Sequence, residues 1–200
     1  MKNLALFDFD GTITTREMLP DFFRLAIPRR RQRIGQILLA PFIIGYKFGI
    51  VSGSVVRAAI VRLGFSGIAY DYYEHKGREF VSLALPQVIR PEALERIKWH
   101  KEKGDVVVIV SGALDIYLAE WCRSQKIECI CSTLEHRNGI LTGRYLGAQC
   151  VQSEKARQVV ARFDIGSFNE VFAYGDTAED KELLALASRK FYQGREVLRI

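Results

Sequence analysis

The sequence predicts an α/β fold: an open parallel sheet with an all-helical cap inserted after its first strand. Three observations carry that prediction. Short apolar or β-branched runs alternate with helix-spaced segments through the second half of the chain, the pattern of strands joined by crossover helices. Those runs are almost uniformly apolar, as parallel strands covered on both faces require. From Thr14 to about Leu85 the pattern is helical throughout, with no convincing strand.

The first run, Leu4-Ala5-Leu6-Phe7, reads as a buried strand that leads into Asp8 and Asp10. In extended backbone, two residues that are two apart point to the same side. Gly11 then lets the chain turn sharply. Met18 to Ala26 is a helix closed by Pro28, and the cluster Arg29-Arg30-Arg31-Gln32-Arg33 precedes an apolar run from Ile34 to Gly45. Ser54 is placed to cap a helix that reaches Leu63, and Asp71 to Leu83 forms another. Residues 1–13 with 86–200 are expected to make the core, and residues 14–85 the insertion.

Beyond Pro86 the alternation resumes. Pro91 to Trp99 has helical spacing and an acid in its first turn, and Gly104 stops it. Val106 to Val110 is a central strand, followed by Ser111-Gly112 and a helix through Leu118 and Trp121. Ile127 to Ile130 is a short strand, and Leu134 to Gly143 a hairpin with an Asn138-Gly139 turn. Glu154 to Phe163 is a helix, Val171 to Tyr174 a strand ending in Gly175-Asp176, and Lys181 to Ala187 a last helix.

Composition narrows the class. The 200 residues carry a formal net charge of +6, which favours anionic partners such as phosphorylated metabolites, anionic lipid surfaces or nucleic acid. Basic and aromatic residues do not interleave as they do in single-strand binders, so no nucleic-acid partner is expected. Cys122, Cys129, Cys131 and Cys150 form no CxxC pair; they read as reduced packing residues of a cytoplasmic protein. The first strand starts almost at once, so no secretory leader is expected. No apolar run attains the roughly 18 residues needed to span a bilayer.

Three strands end in polar residues of specific kinds: Asp8 and Asp10, then Ser111-Gly112, then Asp176 with Asp180 four residues on. Lys155 sits at the start of the helix that precedes the third of these strands. In an open parallel sheet, strand C-termini of this kind converge on one crevice.

The motifs FDFDGT, VIVSGA, the lysine of SEKARQ and YGDTAED resemble those of the haloacid-dehalogenase-like phosphatases. The branch that contains phosphoserine phosphatase is the most similar, with a small helical cap between its first and second motifs. The resemblance implies a Rossmann-like core and a phosphatase that uses Mg2+. Asp8 would be the nucleophile that forms an aspartyl-phosphate, and Asp10 the general acid and then base. Metal ligands would be Asp8, the Asp10 carbonyl and Asp176, a set of hard oxygens suited to magnesium, with Asp180 behind them. Ser111, Gly112 and Lys155 would hold the phosphoryl oxygens.

One departure concerns the last motif, where Glu179 stands in the place usual for an asparagine. An acid near phosphate is unfavourable, so Glu179 is expected to point away. In the insertion, Glu17 resembles a glutamate that meets a substrate ammonium, and Arg57 a carboxylate-binding arginine. The arginine cluster and its apolar neighbour leave two readings: a helix face packed on the core, or a peripheral contact with the inner face of a membrane. The substrate is accordingly a small phosphorylated metabolite or, alternatively, a lipid phosphate as in phosphatidylglycerophosphate phosphatases. A phosphate-binding module without turnover is the remaining alternative. Dehalogenation needs neither a metal nor a second aspartate, so Asp10 and Asp176 disfavour it.

Overall fold

The computed structural model describes residues 2–198. After β1 (Leu4–Phe7) come four helices, α1 (Leu19–Ala26), α2 (Arg29–Lys47), α3 (Gly53–Phe65) and α4 (Tyr70–Leu83). The chain continues through α5 (Pro91–Glu102), β2 (Val106–Leu114), α6 (Asp115–Gln125) and β3 (Glu128–Ser132). A small hairpin, β4 (Leu134–Arg137) and β5 (Ile140–Tyr145), precedes α7 (Ser153–Arg162) and β6 (Val171–Gly175). Then come α8 (Lys181–Ala185) and the short strands β7 (Arg189–Tyr192) and β8 (Arg195–Val197).

The main sheet runs in the order β3-β2-β1-β6-β7-β8. It is parallel except for β8, which pairs antiparallel with β7. Side-chain alternation splits the core between the two faces. Ala5, Phe7 and Phe9 join Ile109, Phe172 and Tyr174 on one face, whereas Leu4, Leu6, Val108, Val110 and Ala173 meet Val159 of α7 and Leu183 and Leu184 of α8 on the other. Phe7, Tyr174 and Phe191 stack across neighbouring strands, at 4.1 and 4.6 Å between ring centroids.

Helices α5 and α6 pack on the first face; beyond them α4 packs on α6, α3 on β5 and α1 on α4. The aromatic residues Phe22 of α1, Phe65 of α3, and Tyr73 and Phe80 of α4 are buried in the same cluster as the sheet. Phe22 and Phe80 each lie 5.1 Å from Tyr117 of α6. Close packing of α4 on α6 requires Gly77, because a Cβ there would sit 2.5 Å from the Ile116 carbonyl oxygen. Helix α2 differs from its neighbours, since only Gly35 and Leu39 of it are buried.

Four features differ from the sequence-based expectation. Ser52, not Ser54, caps α3, with its hydroxyl accepting from the Val55 amide. The arginine cluster and the apolar run form one helix that continues through Pro41, which faces solvent. Strand β2 runs past Val110 to Leu114, with a register shift against β3 between Ser111 and Leu114. Ser111 and Gly112 therefore lie in an irregular strand end rather than beyond it. The short strands β7 and β8 carry too few apolar residues to be read as strands in the sequence.

A buried polar network ties α5 to the sheet. His100 Nδ1 lies 2.8 Å from Asp105, and Nε2 lies 2.8 Å from the Tyr174 hydroxyl. Burial lowers the His100 pKa despite the pull of Asp105, which favours a neutral ring. This network fixes β6 just before the loop that holds Asp176.

Candidate active site

Strand β1 delivers Asp8 to the same face as Leu6, and α7 lies over that face. Lys155, in the first turn of α7, reaches down to Asp8 at 2.5 Å and to Asp180 at 2.6 Å. All three are almost fully buried. Ions at such depth persist only when each charge is paired and its remaining hydrogen-bonding capacity is used. Asp180 meets that condition: its second oxygen accepts from the Asp176 and Thr177 amides. It thereby shapes the loop after β6. Asp176 lies beyond, and accepts from the Thr12 hydroxyl at 3.1 Å.

One carboxylate oxygen from each of Asp8, Asp176 and Asp180 falls within 4.8 Å of the others. Three carboxylates share this space with one ammonium, Lys155, so the ionised cluster carries an excess of negative charge. Gly11, at φ +81°, makes room for it, since a Cβ there would come within 2.2 Å of an Asp176 oxygen. Hard oxygens, excess negative charge and an open side together suit a divalent cation such as Mg2+. Asp180 is committed to Lys155 and two amides, which leaves Asp8 and Asp176 as the freer carboxylates.

Electrostatics agree with that accounting. Burial pushes Asp8 up to about 7, against the opposing pull of Lys155 and helped by Asp180 and Asp176. Burial also raises Asp176. Asp10 is raised well above the usual carboxylate range, first by burial and then by Asp8 and Glu17. Its side chain accepts from the Met18 amide at 3.1 Å. Burial alone would lower the Lys155 pKa, but Asp8 and Asp180 more than reverse this. The surroundings thus favour the charged form of Lys155 and disfavour ionisation of Asp10.

The Ser111 oxygen accepts from the Ala113 amide at 3.2 Å, so its own O–H remains available to an acceptor in the crevice. Gly112 follows in the same strand. Glu17 is exposed and close enough to Asp10 to raise its pKa. Arg57 is not open: its guanidinium donates to Glu179 at 2.8 and 3.1 Å and to Gln149 at 3.4 Å. Gln149 in turn donates to the Ser54 carbonyl. Glu179, the departure from the family pattern, thus neutralises an arginine of α3 and links that helix to the loop after β6. A cavity of about 530 Å³ opens on the Asp176 side, lined by Thr12, Arg90, Arg96, Tyr174 and Gln193 among others.

Thr12 and Gln149 were not singled out from the sequence. Thr12 had a signal, since it closes FDFDGT; Gln149 had none, because its partners are far away in the chain. Cys122 and Cys150 are buried and all four thiols are free, in line with a packing role.

Comparison with known proteins places this geometry in a family. Residues 5–185 match the model of the haloacid dehalogenase-like hydrolases. The chain is 30% identical over 198 residues to protein CicA of Caulobacter vibrioides, covering 95% of this chain and 85% of that one. A Bordetella pertussis Tohama I protein of unknown function shares the fold with a TM-score of 0.79 at 21% identity, over 95% of this chain and 89% of the other. A substrate-bound phosphoserine phosphatase superimposes with a TM-score of 0.70 at 22% identity, over 96% and 86%. A phospho-aspartyl intermediate analogue of phosphoserine phosphatase gives 0.69 at 23%, over 94% and 85%. The chain therefore belongs to the haloacid dehalogenase-like hydrolases, with the fold seen in phosphoserine phosphatases.

Proposed function

We propose that this protein is a magnesium-dependent phosphomonoester hydrolase that works through an aspartyl-phosphate on Asp8. One observation carries the reading: a buried ammonium, Lys155, bridges the Asp8 and Asp180 carboxylates while Asp176 completes an acidic cluster beside them. In the first step an Asp8 oxygen bonds to phosphorus as the ester P–O bond breaks, and Asp10 gives its proton to the departing alkoxide. In the second step Asp10 takes a proton from water, whose oxygen attacks phosphorus. Inorganic phosphate leaves and Asp8 is regenerated. Asp8, Asp176 and the Asp10 carbonyl would hold the cation, which when bound neutralises phosphoryl oxygens and keeps Asp8 ionised. The Ser111 hydroxyl, the Gly112 amide and Lys155 would hold phosphoryl oxygens in line for attack.

Residues 14–85 act as the cap, and the substrate is a small phosphorylated metabolite. Phosphoserine-like compounds head the list, because the named structural neighbours act in that chemistry and Glu17 stands beside Asp10. Arg57 would have to leave Glu179 before it could meet a substrate carboxylate. A lipid phosphate is the second reading, supported by the exposed apolar side chains of α2. A module that binds phosphate without turnover would not need a second carboxylate, Asp10, buried beside Asp8.

The decisive experiment is hydrolysis of an aryl phosphate with Mg2+ and with EDTA, then of a panel of phosphorylated metabolites and lysophospholipids. Asp8→Asn should lower kcat at least about a thousandfold with the fold intact. Retained turnover by that variant removes the nucleophile assignment.

A further inference from the structure

Helix α2 is apolar on the side that faces away from the protein. Ile34, Ile37, Leu38, Pro41 and Ile44 fall at the i, i+3, i+4, i+7 and i+10 positions of one helix face, and Phe48 at the C-cap continues it, so they form a single stripe. The stripe is open: Ile37 is 75% exposed and Phe48 76%, and Ile50 in the following turn is 82% exposed. The opposite face of the same helix holds Gly35 and Leu39 against the protein. The helix thus has a packed face and a second apolar face that the fold leaves bare. Patches of this kind mark interaction surfaces.

Charge identifies the partner. Arg29, Arg30 and Arg33 are exposed at the N-terminus of α2, and none joins an ion pair among the described residues. Cations there oppose the positive end of the helix dipole, so they weaken the helix in isolation. No acidic residue occurs in α2, or anywhere between Asp21 and Asp71. Only Arg31 is used internally, donating to the Ser66 carbonyl. A second copy pairing through this stripe would bring further cations to these arginines and no acid. What fits is a surface that is negative at its rim and apolar beneath.

We propose that α2 is an interfacial helix that docks this protein on an anionic lipid bilayer. The stripe from Ile34 to Phe48 enters the boundary between headgroups and acyl chains, while the arginines meet lipid phosphates. No helix among the described residues is long and apolar enough to cross a membrane, so the contact is peripheral. The inference does not rest on the phosphatase reading, because it concerns binding and not turnover.

The test is co-sedimentation of the full chain with vesicles of phosphatidylcholine, with and without phosphatidylglycerol, alongside the solution mass by light scattering. The expected result is a monomer that pellets with the anionic vesicles, stays in solution with the neutral ones and is released by salt. Ile37→Asp with Leu38→Asp should weaken the partition about tenfold or more. Replacing Arg29, Arg30 and Arg33 by Gln should weaken it about fivefold for each charge. Both variants should keep the circular dichroism spectrum and any hydrolysis of a soluble aryl phosphate, since every altered side chain is exposed. Absence of pelleting with either vesicle overturns the proposal, as does binding that neither variant changes. A dimer that Ile37→Asp dissociates, with no binding to lipid, assigns the stripe to a second copy instead.

Discussion

At the strand ends, Asp8, Lys155 and Asp180 are charged side chains sealed inside the protein. On α2 and at its C-cap, Ile37 and Phe48 are apolar side chains held in solvent. Both regions invert the ordinary partition of polar groups outside and apolar groups inside, and each does so at an energetic cost. The difference lies in how the cost is met. In the crevice every buried charge has a partner within the same molecule, and the remaining imbalance points to a cation. On α2 no internal partner exists, so whatever compensates must come from outside. A departure satisfied internally suits the chemistry proposed for the crevice, whereas one that is not suits the docking proposed for α2.

The sharpest way to break the comparison is to leave the crevice uncompensated. Lys155→Met strands Asp8 and Asp180 without a cation and should cost about 3–5 kcal/mol at pH 8 without metal, measured by urea denaturation. A cost near zero would show that the carboxylates are not ionised together. The two faces of α2 supply the next contrast. Leu39→Ala, on the packed face, should cost about 2–3 kcal/mol. Ile37→Ala, on the open stripe, should stay within about 0.5 kcal/mol. Equal losses at the two positions would mean that the stripe is packed in solution.

A smaller effect follows from the pKa of Asp8. Its folded value is raised from 3.8 to about 7, so the folded state holds the proton more tightly than the unfolded chain does. The contribution of this group to stability therefore falls as pH rises from about 4 to about 7, and is flat above. A divalent cation needs the ionised form, so it competes with that proton. The rise in Tm on adding Mg2+ should be larger at pH 8 than at pH 5 in a thermal melt. An equal rise at both pH values would dissociate the cation from Asp8.

The smallest effect concerns the link between α3 and the loop after β6. Arg57 and Glu179 are partly exposed, at 18% and 30%. A double-mutant cycle with Arg57→Met and Glu179→Gln should return a coupling of about 0.5–1 kcal/mol. If Arg57→Met instead raises KM for a carboxylate-bearing substrate and leaves Glu179→Gln without effect, the arginine belongs to the substrate.

The strand ends were legible because the chemistry is written in short motifs. FDFDGT and YGDTAED each place acids just beyond a strand and SEKARQ places a lysine at the start of a crossover helix, and a parallel sheet brings such ends to one edge whatever the details. The same regularity made the central strands readable. The insertion was less legible. Its helices were recognised as helices, but one apolar pattern in α2 serves both a packed and an open face, and spacing does not say which face the protein covers. Ser52 and Ser54 illustrate the same limit at a helix end, where either serine satisfies the capping pattern.

The candidate residues and the sheet edge where they meet were thus legible in the sequence alone: which acids, which lysine, and the strand ends that carry them; the strand order and the strands β7 and β8 were not. Tertiary structure decided the partnerships. Arg57 and Glu179 stand 122 residues apart, and Lys155 and Asp8 are 147 apart; no local pattern couples such positions. Which side of α2 faces solvent was settled in the same way, by the packing of Gly35 and Leu39 on the rest of the protein. Local chemistry is encoded over a few residues, but burial is a property of the whole fold.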